Sequence, residues 1–221
     1  MPHLFSGDFW PEGLKPVSRE TYERLKVYQA LLEQWQKRIN LVSPTTIPDS
    51  WERHFLDSVQ NYDLLDDSAH LVDIGCGAGF PGLVLAICMA GEGKNDRQRM
   101  VDLVESNGKK CAFMRTVVRE TGLNGTSVQV RVHQERIENC LPHLKRPDVV
   151  TARALAPLDK LFELTKSHLT KGATGLFAKG RDVDSELKQA RQDWTFDVEQ
   201  HPSLIDSNST ILKIRNLQAK G

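Results

Sequence analysis

Four kinds of feature are scarce in this sequence, and each scarcity excludes something. Only four cysteines occur in 221 residues, and Cys76, Cys88, Cys111 and Cys140 lack the paired spacing of a zinc site or a disulfide scaffold. Reduced thiols in a cytoplasmic protein without a metal are the expectation. No apolar run is long enough to span a bilayer, and Met1 to Asp8 has no basic region followed by an apolar core, so neither a membrane partner nor a secretory signal is expected. Net charge is missing too, since 29 Lys and Arg balance 29 Asp and Glu. That argues against coating nucleic acid by charge alone, and it leaves room for a local basic face. No internal repeat or low-complexity tract appears.

What is present is a strand–turn–helix at Leu71 to Ile87. An apolar run ends at Ile74, four glycines follow within Gly75 to Gly82, and Leu83 to Ile87 resume the apolar pattern. Before it, residues 1 to about 17 carry three prolines and two glycines and read as an irregular arm. Ser18 to Thr21 looks like a helix start, and Leu25, Tyr28, Leu32, Trp35 and Ile39 form an apolar stripe at three- and four-residue steps. A second helix is expected from Ser50 towards Leu65, with Trp51, Phe55, Val59 and Tyr62 inward.

After the glycines the pattern alternates. Strands are expected at 100–105, 127–132, 147–153, 175–178, 194–200 and 209–215, with helices at 108–121, 157–169 and 182–193 and a short helical turn at 137–141. Gly91 to Arg99 reads as a polar loop. The last two strands look antiparallel. The sum is an α/β protein with a mostly parallel seven-stranded sheet, closed by an antiparallel hairpin. A helical cap over 1–68 precedes the main domain, 69–221.

In such a sheet the loops at the strand ends meet over one crevice. Gly77 to Gly82 formally fits G-x-G-x-x-G, which alone is a weak signal. Asp73, just before the glycines, could orient the first turn or meet a cationic group. Glu105, at the next strand end, could accept from two ribose hydroxyls. Ser106, Lys109 and Lys110 follow it, and Ile137 and Glu138 offer an apolar slot and a polar edge for a flat ring. Arg153 ends a largely apolar strand and so needs solvent or a partner; the structural alternative is an ion pair with Asp73 or Glu105. Lys179 and Arg181 add cations to the same expected rim.

D-x-G-x-G-x-G followed by Glu105 resembles the class I S-adenosylmethionine (SAM) methyltransferases. Closer still, the chain resembles the RsmG (GidB) family of small-subunit ribosomal RNA guanine-N7 methyltransferases. The matching stretches are Trp35 to Leu41, Arg53 to Ser58, Asp73 to Gly82, Glu105 to Met114, Arg136 to Glu138, Ala152 to Ala154 and Ala178 to Gly180. Departures are a Thr at 151 in place of the usual Ser, and a long loop at 91–99.

The resemblance implies SAM as cofactor, contacted by Gly75, Gly77, Phe80, Ser106, Ile137, Glu138 and Arg153 and supported by Asp73 and Glu105. Arg153, Lys179 and Arg181 would position substrate. The implied substrate is N7 of a guanine in the 530 loop of 16S rRNA, in the small ribosomal subunit, with the protein acting as a monomer. An in-plane N7 lone pair needs no general base, so none is expected. Asn40, Arg53, His54 and Asp57 are read as hydrogen bonds tying the cap to the main domain. Two readings stay open beside this one: a small-molecule SAM methyltransferase of the same fold, and a non-catalytic RNA-binding module of ribosome assembly. A nicotinamide oxidoreductase is disfavoured by Asp73 and by the glycine spacing from Gly75.

Overall fold

The computed structural model describes residues 4–5, 10–91 and 98–221, so most of the 91–99 loop lies outside the described residues. The arm is less irregular than its composition suggests, because β1 (Leu4–Phe5) pairs antiparallel with β2 (Val17–Ser18). Ser18 then caps α1 (Arg19–Gln36), its extended backbone turning Oγ to accept from the Thr21 amide at 3.1 Å. Leu25, Tyr28 and Leu32 are fully buried, Trp35 is half-buried, and Ile39 falls beyond the helix end.

The second cap segment is helical where expected but changes its winding twice. A π-helix (Trp51–Leu56) passes into one α-turn, α2 (Asp57–Val59), and then into a 3-10 helix (Gln60–Leu64). Phe55 and Val59 are buried, whereas Trp51 and Tyr62 are half-buried. This winding brings the Arg53 carbonyl, His54 and Asp57 to one side, where all three bond Arg153.

The main domain alternates as read. In chain order it comprises β3 (His70–Ile74), α3 (Gly82–Ala90), β4 (Arg99–Glu105), α4 (Gly108–Glu120), β5 (Val128–Gln134) and α5 (Ile137–Cys140). It continues with β6 (Val149–Arg153), α6 (Leu158–Leu169), β7 (Thr174–Lys179), α7 (Val183–Asp193), β8 (Trp194–Pro202) and β9 (Thr210–Ala219). The seven-stranded sheet has the order β5-β4-β3-β6-β7-β9-β8, with β9 antiparallel to both neighbours. Strand order reverses between β4 and β6 around β3, and in open α/β sheets the crevice at such a reversal takes the ligand.

Each sheet face has its own core, following the two-residue period of a strand. Leu71, Val101 and Leu103 pack with α1, α3 and α4, and Val72, Ile74 and Val104 pack with α6 and α7. Helix α3 is buried from Gly82 to Met89, as an all-apolar helix must be. The first core is continuous from the N-terminal helices into the sheet, joining Tyr28, Leu32 and Phe55 to Leu83 of α3 and Phe113 of α4. The four cysteines are free and buried. No helix among the described residues is long and apolar enough to cross a membrane.

Candidate active site

The floor of the site is a buried carboxylate. Asp73 is fully buried, its Oδ2 accepting the Gly82 amide at 2.8 Å and its Oδ1 the Thr151 hydroxyl at 2.9 Å. Burial raises its pKa to about 7 against the opposing pull of those two bonds and of Arg153. A Cβ on Gly82 would come within 2.7 Å of that Oδ2 and 2.6 Å of the Leu103 side chain, so only glycine lets the helix start on the strand end. A hydroxyl is what position 151 needs, and threonine supplies it. Asp73 thus orients the first turn from beneath, one of the two roles its place before the glycines allowed, and has no face on the crevice.

Above the floor, Glu105 bridges two loops. Its Oε2 accepts the Gly77 amide at 3.0 Å and its Oε1 the Asn107 amide at 2.8 Å, and it remains half-exposed. Gly75 has φ 60°, and a Cβ there would lie 2.5 Å from Leu155 Cδ1. Gly75, Glu105, Ser106, Ile137 and Glu138 together line a crevice of ≈ 320 Å³. Five of the predicted residues therefore meet in one place. Leu155, Ala156, Lys160 and Leu164 wall it from the β6–α6 side. These four were not singled out in the sequence, although their position between a β6 strand end and the α6 face was the available signal.

Phe80 and Arg153, expected to contact the cofactor with those five, do not line the crevice and lie on the other side of the loop. Phe80 is buried, stacked on Tyr28 at 5.2 Å and on His54 at 5.2 Å, with the Arg153 guanidinium 5.2 Å over its ring. Tyr28 Oη donates to the Ala78 carbonyl at 2.5 Å, so helix α1 grips the glycine loop directly. Arg153 pairs with neither Asp73 nor Glu105. It donates to Asp57 Oδ2 at 3.0 Å, the Arg53 carbonyl at 3.1 Å and His54 Nδ1 at 3.0 Å. The reason is reach: the chain turns at Ala154, with φ 50°, while the cap delivers acceptors to the guanidinium.

These bonds also determine the histidine. Arg153 can only donate, so Nδ1 accepts and the proton resides on Nε2, which is 2.8 Å from Thr46 Oγ1. Thr46 gives its own hydroxyl proton to the Ser43 carbonyl. Burial, then Arg153 and Arg53, push the His54 pKa down to about 4, so the ring is neutral at neutral pH with both nitrogens occupied. Asp57 is raised by burial, which outweighs Arg153. As read from the sequence, Arg53, His54 and Asp57 tie cap to main domain. Asn40 does not; among the described residues its Oδ1 accepts only from Gln36, at 3.3 Å.

A second pocket of ≈ 230 Å³ opens here. His54 and Asp57 line it from the cap, Arg153 and Ala154 from the β6 end, and Ile205 and Asp206 from the β8–β9 loop. These loop residues and Ser209 beside them were missed, although the Asp206-Ser207-Asn208 turn was legible as a place where a carboxylate is held in position. The expected cationic rim needs correction. Lys179 is 8% exposed, and its Nζ lies 2.6 Å from Glu186 and 2.8 Å from the Ala156 carbonyl, so it is a buried tie between β7 and α7. Glu186, seven residues on, satisfies it. Arg181 alone of the pair is exposed.

Solved structures share the fold at low identity. A methyltransferase from Geobacter sulfurreducens superimposes with a TM-score of 0.54 at 14% identity, over 87% of this chain and 88% of its own. The O-methyltransferase from Bacillus cereus, in complex with SAH, gives 0.53 at 14% identity, over 92% and 94%. Sequence relatives are nearer. The ribosomal RNA small subunit methyltransferase G proteins of Brucella anthropi and Brucella ovis are each 47% identical over 204 residues, covering 92% of both chains. The model of the GidB family, described as rRNA small subunit methyltransferase G, matches residues 21–214. The chain belongs to that family.

Proposed function

We propose that this protein transfers a methyl group from SAM to N7 of a guanine in the 530 loop of 16S rRNA. The observation that carries the reading is one crevice at the strand-order reversal that joins a glycine turn, a half-exposed carboxylate and an apolar edge. Those residues fit SAM: Gly75 and Gly77 for close backbone approach, Glu105 for the ribose hydroxyls, Ile137 and Glu138 for the adenine, and Ser106 beside them. Arg153 meets the methionine end from the cap side, over the buried Phe80 ring that backs it. When bound, SAM supplies an electrophilic methyl on a sulfonium.

What the chain itself must supply is alignment of the attacking atom in a near-attack geometry. N7 attacks with an in-plane lone pair and loses no proton, so no group has to act as a base. The site suits that requirement, because the histidine in its second pocket is neutral with both nitrogens engaged. Positive charge passing to the guanine ring is favoured by the nearby Asp57 and Asp206 carboxylates. The target base must leave its stack to enter the pocket. The cap, 1–68, would enclose it, and Arg181 would meet phosphate. We take the protein to work as a monomer in the cytoplasm, on the small ribosomal subunit and without a metal.

The test uses methyl-labelled SAM and small subunits from cells lacking this activity, with naked rRNA and large subunits alongside. Label on one 16S guanine, released by chemistry specific for N7-methylguanine, is the expected result. Absence of label with SAM binding intact would overturn the RNA assignment.

A further inference from the structure

The geometry points to Asp206 as the group that selects guanine, by accepting hydrogen bonds from its Watson–Crick edge in the pocket beneath the cap. The inference rests on the guanine-N7 reading above and adds to it the residue that recognises the base.

The pocket adjoins the crevice, since Ala154 lines one and the next two residues, Leu155 and Ala156, line the other. A base with N7 turned towards the crevice directs its opposite edge away from it. That edge of guanine carries two neighbouring donors, N1–H and the N2 amino group. Away from the β6 end the pocket is walled by the cap and by the β8–β9 loop, and the loop's titratable side chain is Asp206. A carboxylate accepts from two adjacent donors and offers none in return. Adenine presents an acceptor at N1 and is refused.

The pocket's imidazole and its other carboxylate are held by partners that are buried or half-buried. His54 uses both ring nitrogens. Asp57 accepts from Arg153 at 3.0 Å and from Gln60 at 2.8 Å. Asp206 differs. Its Oδ1 accepts from the Asn208 amide at 3.0 Å and side chain at 3.3 Å, but among the described residues its Oδ2 has only the exposed Arg53, at 3.4 Å. Both partners of that contact are exposed enough, 51% and 30%, for incoming donors to displace it at little cost. The Asn208 amide lowers the Asp206 pKa further into the acid range, keeping it an acceptor at neutral pH.

The carboxylate is also held in place before any base arrives. The Asp206 amide donates to Ser203 Oγ at 3.0 Å, Gln60 Nε2 donates to the same oxygen at 3.0 Å, and the Leu204 amide donates to Gln60 Oε1 at 3.0 Å. The recognition loop is thus bonded to the cap rather than merely near it.

Asp206→Asn retains Oδ1 for Asn208, so the turn survives, and it replaces one acceptor by a donor. The substrate pair is reconstituted small subunits carrying guanosine or inosine at the methylated position; inosine keeps N7 and N1–H and lacks the amino group. The wild type should methylate the guanosine particle with about tenfold higher kcat/KM, the order of discrimination of one paired base contact. In Asp206→Asn the guanosine rate should fall about tenfold and the ratio should approach one, with SAM affinity unchanged in titration. Wild-type indifference to inosine overturns the proposal. So does an equal fall on both particles, down to complete loss. No methylation of either particle by the wild type would sink the guanine-N7 reading and Asp206 with it, whereas methylation with an unaltered ratio removes Asp206 alone.

Discussion

Asp73 and Glu105 end neighbouring parallel strands, and the regions around them differ in almost every physical respect. Beneath and behind the glycine loop, Asp73, Tyr28 and Phe80 are buried, and the side-chain oxygens of Asp73 and Tyr28 bond inside the protein. Towards the crevice, Glu105 is half-exposed and Ser106 and Glu138 are exposed, and the lining comes from separate strand-end loops. The contrast teaches that the loop is fixed from one side so that the other can stay open. A ligand that meets pre-set donors and acceptors loses less affinity to their ordering.

Substitutions on the buried side should therefore act on stability, and those on the open side on ligand. The largest effect expected is from Gly82→Ala, whose methyl overlaps Asp73 and Leu103; it should cost about 3 kcal/mol or more in denaturant unfolding. A stability change under about 1 kcal/mol would show that the strand–helix junction yields.

Next is Asp73→Asn, read against pH. Because the folded pKa, about 7, exceeds the ordinary carboxylate value of roughly 3.9, ionising Asp73 disfavours the fold. The stability it contributes while protonated is present at about pH 4 and is lost as pH rises towards 7. Asparagine can keep a carbonyl for Gly82 and never ionises, so the variant should gain on the wild type across that window by about 3 kcal/mol. Parallel pH curves would exclude a raised pKa.

Arg153→Ala strips Asp57, His54 and the Arg53 carbonyl of their donor, and the ion pair it breaks is 19% and 15% exposed. A loss of about 2 kcal/mol is expected, together with weaker SAM binding or turnover. The exposed Lys145→Ala should change neither, and near-wild-type behaviour of both variants would sink the assignment of Arg153. The smallest stability effect belongs to Glu105→Gln, within about 0.5 kcal/mol, because Gln keeps one acceptor and the side chain is half-exposed. Its SAM affinity should nevertheless drop about tenfold by titration calorimetry. An unaltered affinity would remove Glu105 from the cofactor site.

Much of the fold was readable because it is periodic. Alternating strands, the capped start at Ser18 and the glycine turn are local patterns, and each appears within a few residues of its expected place. The crevice followed, since residues at the ends of parallel strands have to meet. Partnerships remote in sequence were not readable. Arg153 finds Asp57 across 96 positions because a π-helical segment and a left-handed Ala154 aim them at each other, and neither feature has a period. Lys179 looked like a rim cation because its type is usually solvated, and the buried Glu186 contact overrides that tendency. The β8–β9 loop was read as a connection, since no local pattern reveals that it bonds Gln60 of the cap.

That clasp has a consequence for how the protein comes into being on the ribosome. Helix α1 leaves the exit tunnel with Tyr28, Leu25 and Leu32 facing water, and the Ala78 carbonyl that receives Tyr28 is translated fifty residues later. The loop that closes over Gln60 follows after a further hundred and more. A nascent chain thus carries an unburied amphipathic stripe through the synthesis of most of the sheet, and the second pocket gains its last wall only when residues 203–209 emerge. Chaperone binding to stalled chains should accordingly concentrate on α1 and decline once the β8–β9 loop has cleared the tunnel.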